Sequence, residues 1–215
     1  MKSMVYNFSN KSIKKMNYII DDSCLARTVG KPALMVFLHG AGERGEDFEK
    51  LYVHGPAKYI RAGLIAPEAI VLCPQCPDGL IWNLLTFELK ELIDSVVSEY
   101  GVDTDRISLT GISMGGYGTW EMAMSYPGFF SAIGPICGGG GSWRAKLIGK
   151  TPVWAFHGDA DNVVPPINSI EMCERLKSVG GSVELTLLHG VGHDSWSFAY
   201  ERSKLIEWLI SQKKS

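Results

Sequence analysis

The chain has 215 residues, of which 46% are hydrophobic and 20% charged, and its formal net charge is −2. These proportions are typical of a globular protein, and they exclude a disordered, collagen-like or coiled-coil chain. The balance of acidic and basic residues also argues against a nucleic-acid-binding protein, which needs clustered Lys and Arg. We therefore expect one soluble domain spanning residues 1–215.

Short apolar runs alternate with segments of helical periodicity along the chain. The first two runs, joined by polar residues, predict an antiparallel hairpin at one edge of a sheet. The later alternation of strands and helices predicts an α/β fold, with a mostly parallel, twisted sheet of seven or eight strands flanked by helices. The predicted strands are 5–8, 16–20, 33–38, 69–73, 107–110, 132–137, 153–156 and 183–188, and the predicted helices are 48–62, 87–100, 114–125, 143–148, 167–179 and 195–211.

The cysteines and the apolar runs indicate in which cellular compartment the protein is located. No apolar run near the N-terminus is typical of a signal peptide, and the longest one, residues 33–38, is too short to cross a membrane. The five cysteines form no regular framework, which is typical of free thiols in a reducing compartment. Cys73 and Cys76 form a single C-x-x-C, which two small buried residues explain better than zinc or redox chemistry. The sequence predicts a cytoplasmic protein without membrane contact.

A serine lies where a sheet of this kind places its chemistry, in a loop beyond the carboxyl end of a strand. Residues 111–115 are G-I-S-M-G, and they separate the fifth predicted strand from the helix that begins at Met114. A G-x-S-x-G segment between a strand and a helix holds a nucleophilic serine with its hydroxyl exposed. The pattern predicts Ser113 as a nucleophile, and a Gly-Ser helix cap is the alternative.

A nucleophilic serine needs a histidine base and an acid that orients the base. Asp159 and Asp161 follow the seventh predicted strand, and His189 and His193 follow the eighth. The order Ser, Asp, His along the chain is that of an α/β-hydrolase. We favour His193 as the base because it lies just before the last helix, whereas His189 still belongs to the end of the strand.

Two further histidines and a glycine-rich loop complete the candidate site. His39 and His157 each follow a buried strand directly, and we expect both to hydrogen-bond a loop rather than to act as the base. Glycines in the loop after the third predicted strand allow its backbone to direct an amide inward. The amides of Ala41 and Met114 are therefore the predicted oxyanion hole.

Five segments spread over most of the chain form a recognisable set: FLHGAGERG at 37–45, PQCP at 74–77, DTDRISLTGISMGGYGTW at 103–120, FHGDADNVVP at 156–165 and GVGHDSW at 190–196. In these segments the chain resembles small esterases of the α/β-hydrolase superfamily. The group is that of predicted peptidases and carboxylesterases related to the phospholipase/carboxylesterase and dienelactone hydrolase families. The resemblance implies an α/β-hydrolase fold and the hydrolysis of carboxylic esters through an acyl-enzyme.

The resemblance also implies roles for individual residues. It favours Asp161 over Asp159 as the acid, because Asp161 holds the acid position of the H-G-x-x-D pattern that leads to V-P. It implies that Trp82 and Trp196 line the acyl or leaving-group pocket, although core packing explains either indole equally well. The implied site consists of Ser113, His193 and Asp161 as the triad and the amides of Ala41 and Met114 as the oxyanion hole, with no metal and no cofactor.

The segment between the sixth and seventh predicted strands is too short for the helical cap of many hydrolases. We therefore expect no cap domain and an open site for a small-molecule ester, in a monomer or a homodimer. A serine peptidase or a thioesterase on the same scaffold is the alternative. A non-catalytic binding protein is a weaker one, because a fold by itself does not require all three of Ser113, Asp161 and His193.

Overall fold

The computed structural model describes residues 2–8 and 12–214, with side chains from residue 16 onward. The described chain forms eight strands in one sheet. They are β1 (Lys2–Phe8), β2 (Ser12–Asp21), β3 (Ala33–Leu38), β4 (Ala69–Gln75), β5 (Ile107–Ile112), β6 (Ala132–Ile136), β7 (Val153–Gly158) and β8 (Val183–Leu188).

The strands are ordered β1-β2-β4-β3-β5-β6-β7-β8. β1 and β2 form an antiparallel hairpin, and β2 pairs antiparallel with β4, whereas the strands from β4 to β8 run parallel. Strands β3, β4, β5 and β6 are buried along their whole length, as expected where helices cover both faces of a sheet. The predicted fold class and the edge hairpin are thus confirmed.

Helices on the two faces of the sheet enclose two hydrophobic clusters. The first cluster packs α2 (Thr86–Tyr100), α3 (Met114–Ser125) and α4 (Ile167–Ser178) on one face. The second packs α1 (Pro56–Arg61), α5 (Trp196–Glu201) and α6 (Leu205–Ser211) on the other. None of the helices in the described part of the chain is long and apolar enough to span a membrane.

Two helices predicted as continuous are interrupted. The predicted helix 48–62 is a 3-10 helix, Phe48–Tyr52, followed by α1. Gly55 separates the two with a φ of 75°, and a Cβ atom there would lie 2.2 Å from the ring of Phe37. The break therefore depends on a tertiary contact with β3.

The predicted helix 195–211 is divided into α5 and α6, and the hydroxyl of Ser203 accepts a hydrogen bond from the amide of Leu205 at 3.1 Å. The same hydroxyl donates to the carbonyl of Ala199, so it links the end of α5 to the start of α6. The predicted helix 143–148 is a 3-10 helix, Ser142–Ile148.

Candidate active site

Ser113 is the single residue between β5 and α3, and its backbone is strained. Its φ is 52° and its ψ is −116°, a conformation that residues other than glycine seldom adopt. The turn is this tight because α3 is pressed against the end of β3: a Cβ atom on Gly115 would lie 1.9 Å from the carbonyl oxygen of Leu38. The amide of Ser113 also donates to the carbonyl of Ile136 at 2.9 Å. These contacts hold the serine in the sharp turn that presents a nucleophile.

The loops after β5, β7 and β8 bring Ser113, Asp161 and His193 into one hydrogen-bonded row. Nε2 of His193 lies 2.9 Å from Oγ of Ser113, and its Nδ1 lies 2.7 Å from Oδ2 of Asp161. The carboxylate only accepts, so Nδ1 carries the ring proton and Nε2 is free to accept from the serine hydroxyl. A row of this geometry can remove a proton from the serine and hold the resulting imidazolium.

Asp161 is buried yet well provided with hydrogen-bond donors. Its Oδ1 accepts from the amides of Val163 and Val164, each at 2.9 Å, and its Oδ2 faces His193. Burial by itself raises the pKa of the carboxyl, but the hydrogen bonds from His193, Val164 and Val163 together lower it below the ordinary value. The carboxylate is therefore ionised at neutral pH, as the orientation of a histidine base requires.

His157 supports the loop that carries Asp161. Its Nε2 lies 2.9 Å from the carbonyl of Val164 and 3.3 Å from Oδ2 of Asp161, and its Nδ1 lies 2.6 Å from the hydroxyl of Ser169. The ring is fully buried, and burial lowers its pKa. His157 is thus a neutral histidine that hydrogen-bonds a loop, as its position after a strand predicted.

Asp159 and His189 form a second pair, directed to the surface. Oδ2 of Asp159 lies 2.8 Å from Nδ1 of His189, and its Oδ1 accepts from the amide of Gly190 at 2.7 Å. The side chain of His189 is fully exposed. The structure thus separates the four candidates into two pairs, of which the pair of Asp161 and His193 contacts Ser113.

The glycine-rich loop after β3 lies against the nucleophile. A Cβ atom on Gly40 would lie 3.7 Å from Cβ of Ser113. Nδ1 of the buried His39 donates to the carbonyl of Gly40 at 2.6 Å, while its Nε2 accepts from the amide of Cys76 at 2.9 Å. Burial lowers the pKa of His39 to about 4, which keeps the ring neutral. The ring thereby anchors the loop in one orientation.

The anchored carbonyl also orients the neighbouring amide. In a trans peptide the N–H points away from the C=O, so the amide of Ala41 faces away from His39. Met114 is the first residue of α3, where backbone amides have no acceptor within the helix. The peptide between Gly40 and Ala41 thus belongs to the loop beside Ser113, and Met114 is the next residue along the chain.

Glu43 and His54 lie near the site although the sequence did not single them out. Glu43 is buried behind the loop, where burial raises the pKa of its carboxyl, and its Oε1 lies 3.7 Å from Nε2 of His54. His54 packs edge-on against Trp196 with ring centroids 5.2 Å apart. Single charged or aromatic residues in irregular loops carry no local pattern, so their place at the site comes only from the fold.

The two predicted substrate-binding tryptophans differ in position. Trp82 is fully buried, and its Nε1 donates to the carbonyl of His39 at 2.9 Å. It supports the loop from below, and the prediction that it lines the substrate pocket is wrong, because its indole has no exposed surface to offer. Trp196 is partly buried and packs perpendicular to the ring of His193 at 5.3 Å. It lies beside the predicted base, where an alcohol could contact it.

One of the cysteines lies close enough to Asp161 and His193 for the three residues to be considered as a metal site. All five cysteines are free and buried. Cys137, Asp161 and His193 place ligand atoms within 4.8 Å of one another. Burial raises the pKa of the Cys137 thiol to about 12, however, and Asp161 and His193 already bond to each other. A protonated thiol is a poor metal ligand, so this group fits a hydrogen-bonded pair better than a metal centre.

Comparison with known proteins agrees with this geometry. The model of the phospholipase/carboxylesterase family matches residues 81–204. The chain belongs to this family. Among solved structures, a thermostable esterase is 31% identical with a TM-score of 0.81, and the match covers 99% of this chain and 63% of that one. The resemblance and the α/β-hydrolase fold predicted from the motifs are confirmed.

Curated relatives of this family member include esterases of larger size. Poly(3-hydroxyalkanoate) depolymerase C of Paucimonas lemoignei is 25% identical over 123 residues, which are 43% of this chain and 30% of that protein. Feruloyl esterase B of Talaromyces funiculosus is 29% identical over 138 residues, 60% of this chain and 38% of that protein. The chain thus matches less than half the length of either relative.

Proposed function

We propose that the protein is a serine carboxylesterase in which Ser113 is the nucleophile, His193 the base and Asp161 the acid. The observation that carries the proposal is the unbroken row of hydrogen bonds from Ser113 through His193 to Asp161, at 2.9 and 2.7 Å. Membership of a family described by carboxylesterases supports an ester as the substrate. The relative named feruloyl esterase B supports it as well, and another relative is named poly(3-hydroxyalkanoate) depolymerase C.

Acylation begins when Nε2 of His193 removes the hydroxyl proton of Ser113. The serine oxygen attacks the ester carbonyl, and the amides of Ala41 and Met114 donate to the oxyanion that forms. Met114 adds the positive end of the α3 dipole. Asp161 stabilises the imidazolium, which then donates its proton to the departing alcohol.

Deacylation repeats these steps with water as the nucleophile. His193 removes a proton from the water, which attacks the acyl-enzyme through a second tetrahedral intermediate. The intermediate collapses, the proton returns to Oγ of Ser113, and the carboxylic acid leaves. The proposed reaction uses side chains and amides of this chain with a small-molecule ester, and we place it in the cytoplasm because all five cysteines are free and buried.

Labelling with a fluorophosphonate probe tests this function, together with hydrolysis of p-nitrophenyl butanoate. We expect the wild type to be labelled, and Ser113→Ala to lose labelling and to lower kcat by a factor on the order of 10⁴ to 10⁶. Ser125→Ala, at the far end of α3, is the matched control and should keep both. Absence of labelling in the folded wild type, or equal labelling of Ser113→Ala, would overturn the proposal.

A further inference from the structure

A pocket opens beside Ser113 that the proposed mechanism does not use. Its volume is about 450 Å³, and Ile81, Asn83, Met114 and Tyr117 line it. Met114 follows the nucleophile directly, and Tyr117 lies in the first turn of α3. Ile81 and Asn83 belong to the segment that follows β4, at a short 3-10 helix, Trp82–Leu84. We name this space the acyl pocket, for the reason that follows.

The strand order sets the acyl pocket apart from the proposed base. β4, whose following segment supplies Ile81 and Asn83, lies on one side of β5. β7 and β8, whose loops supply Asp161 and His193, lie on the other. Ile81 and Asn83 therefore lie on the side of Ser113 opposite to the loops that carry His193 and Asp161, while Tyr117 of α3 closes the pocket next to the loop after β6.

The two faces of the sheet separate them as well. Met114 packs against the first hydrophobic cluster, together with α2, α3 and α4. Trp196, the neighbour of His193, packs against the second cluster on the opposite face. Ile81 and Asn83 thus approach Ser113 from the side opposite to His193 along the sheet, and Met114 and Trp196 lie on opposite faces of it.

The chemistry of ester hydrolysis determines on which side of Ser113 the alcohol and the acyl group of the substrate lie. The alcohol receives its proton from His193 and must leave on that side, while the carbonyl oxygen faces the amides of Ala41 and Met114. The remaining substituent of the carbonyl carbon then points away from His193. We propose that the acyl pocket binds the acyl group of the ester, an inference that rests on the proposed function.

The lining of the acyl pocket indicates the class of acyl group. Among the residues that the structure describes, no charged side chain lines the pocket. An acyl group that carries a free carboxylate would therefore lose its hydration without gaining a partner of opposite charge. Burial raises the pKa of Tyr117, so its phenol stays protonated and offers a donor. Leu84 and Phe87, 66% and 64% exposed, extend the apolar surface along the same segment. The preferred acyl group is apolar and larger than acetyl, a medium chain or an aromatic ring.

Two ester series test this inference by separating the acyl side from the alcohol side. The first keeps p-nitrophenol and varies the acid from acetate through hexanoate to cinnamate. Ile81→Ala widens the pocket and Ile81→Trp narrows it, at a side chain that is 42% exposed and therefore not needed for folding. We expect both variants to lower the hexanoate-to-acetate ratio of kcat/KM, by roughly three- to tenfold, because contact with the chain is lost or its space is filled.

The second series keeps hexanoate and varies the alcohol from ethyl to naphthyl, and here both variants should retain the wild-type ratios. Ile167→Ala is the matched control, since it truncates an isoleucine that is 58% exposed at the start of α4, and it should retain both sets of ratios. Wild-type acyl ratios in both Ile81 variants, or changes along the alcohol series instead, would overturn the inference while leaving the esterase intact. A wild type that hydrolyses no ester and takes no fluorophosphonate label would overturn both proposals.

Discussion

Two aspartate–histidine pairs lie side by side in the loops after β7 and β8. Asp161 and His193 are 32 residues apart and bond at 2.7 Å, while Asp159 and His189 are 30 residues apart and bond at 2.8 Å. Residue types, spacing and hydrogen-bond length are nearly the same in both. The exposure of the side chains differs, however. Those of Asp161 and His193 are 0% and 20% exposed, whereas those of Asp159 and His189 are 38% and 100% exposed.

The difference lies in what surrounds each pair. Asp161 receives two backbone amides besides His193, and His193 reaches on to Ser113. Asp159 receives one amide and a histidine whose ring extends into solvent, where water screens the interaction. A hydrogen bond between a carboxylate and an imidazole is therefore no sign of a catalytic pair unless burial and a nucleophile accompany it.

The largest expected effect separates the two aspartates. Asp161→Asn should lower kcat/KM for p-nitrophenyl butanoate by about 10⁴-fold, because an amide in place of the carboxylate no longer fixes the ring tautomer or stabilises its charge. Asp159→Asn should change it by less than about twofold, as expected for a surface substitution. Steady-state kinetics of both purified variants measure this. A reversed order of the two effects would show that the exposed pair is the functional one.

A smaller effect separates His157, which neighbours the buried pair, from His189, which belongs to the exposed pair. His157→Ala removes hydrogen bonds to Ser169 and Val164 in the interior, so at pH 7 the free energy of unfolding should fall by about 2 to 4 kcal/mol. His189→Ala removes an exposed ring and should leave the midpoint of urea unfolding unchanged within error. Equal midpoints for the two variants would contradict the structural role of His157.

The smallest effect is a pH dependence of stability that comes from the buried histidines, whose pKa values burial lowers. The pKa of His39 is about 4 in the folded protein and about 6.5 in the unfolded chain, so the unfolded chain binds more protons between these values. The free energy of unfolding should therefore fall as the pH drops from 6.5 to 4, by about 3 kcal/mol at most. His157, whose pKa burial also lowers, contributes in the same direction.

Urea unfolding at several pH values measures this slope. His39→Asn should flatten it, because the variant has no ring to protonate in the unfolded chain. An unchanged slope in His39→Asn would mean that His39 is not held neutral by burial.

The elements of the sheet could be predicted because fully buried parallel strands are continuous apolar runs, as in β3 and β6. The same residues fix the loop in which each candidate lies. The helix breaks could not be predicted, since the turn at Gly55 is imposed by the ring of Phe37 on a distant strand. The position of Trp82 also depended on tertiary packing, because an indole suits a core as well as a pocket.

By itself the sequence determined the α/β architecture, the strained turn at Ser113 and the two loops that hold the candidate acids and bases. These follow from local periodicity, from glycines and from strand ends, which neighbouring residues encode. Only the tertiary structure decided that Asp161 bonds to His193 and Asp159 to His189, because burial and the approach of residues 30 and 32 positions apart depend on the whole sheet. It also decided that Ile81, Asn83, Met114 and Tyr117 line one pocket, since the segment after β4 meets α3 only once the strands are ordered.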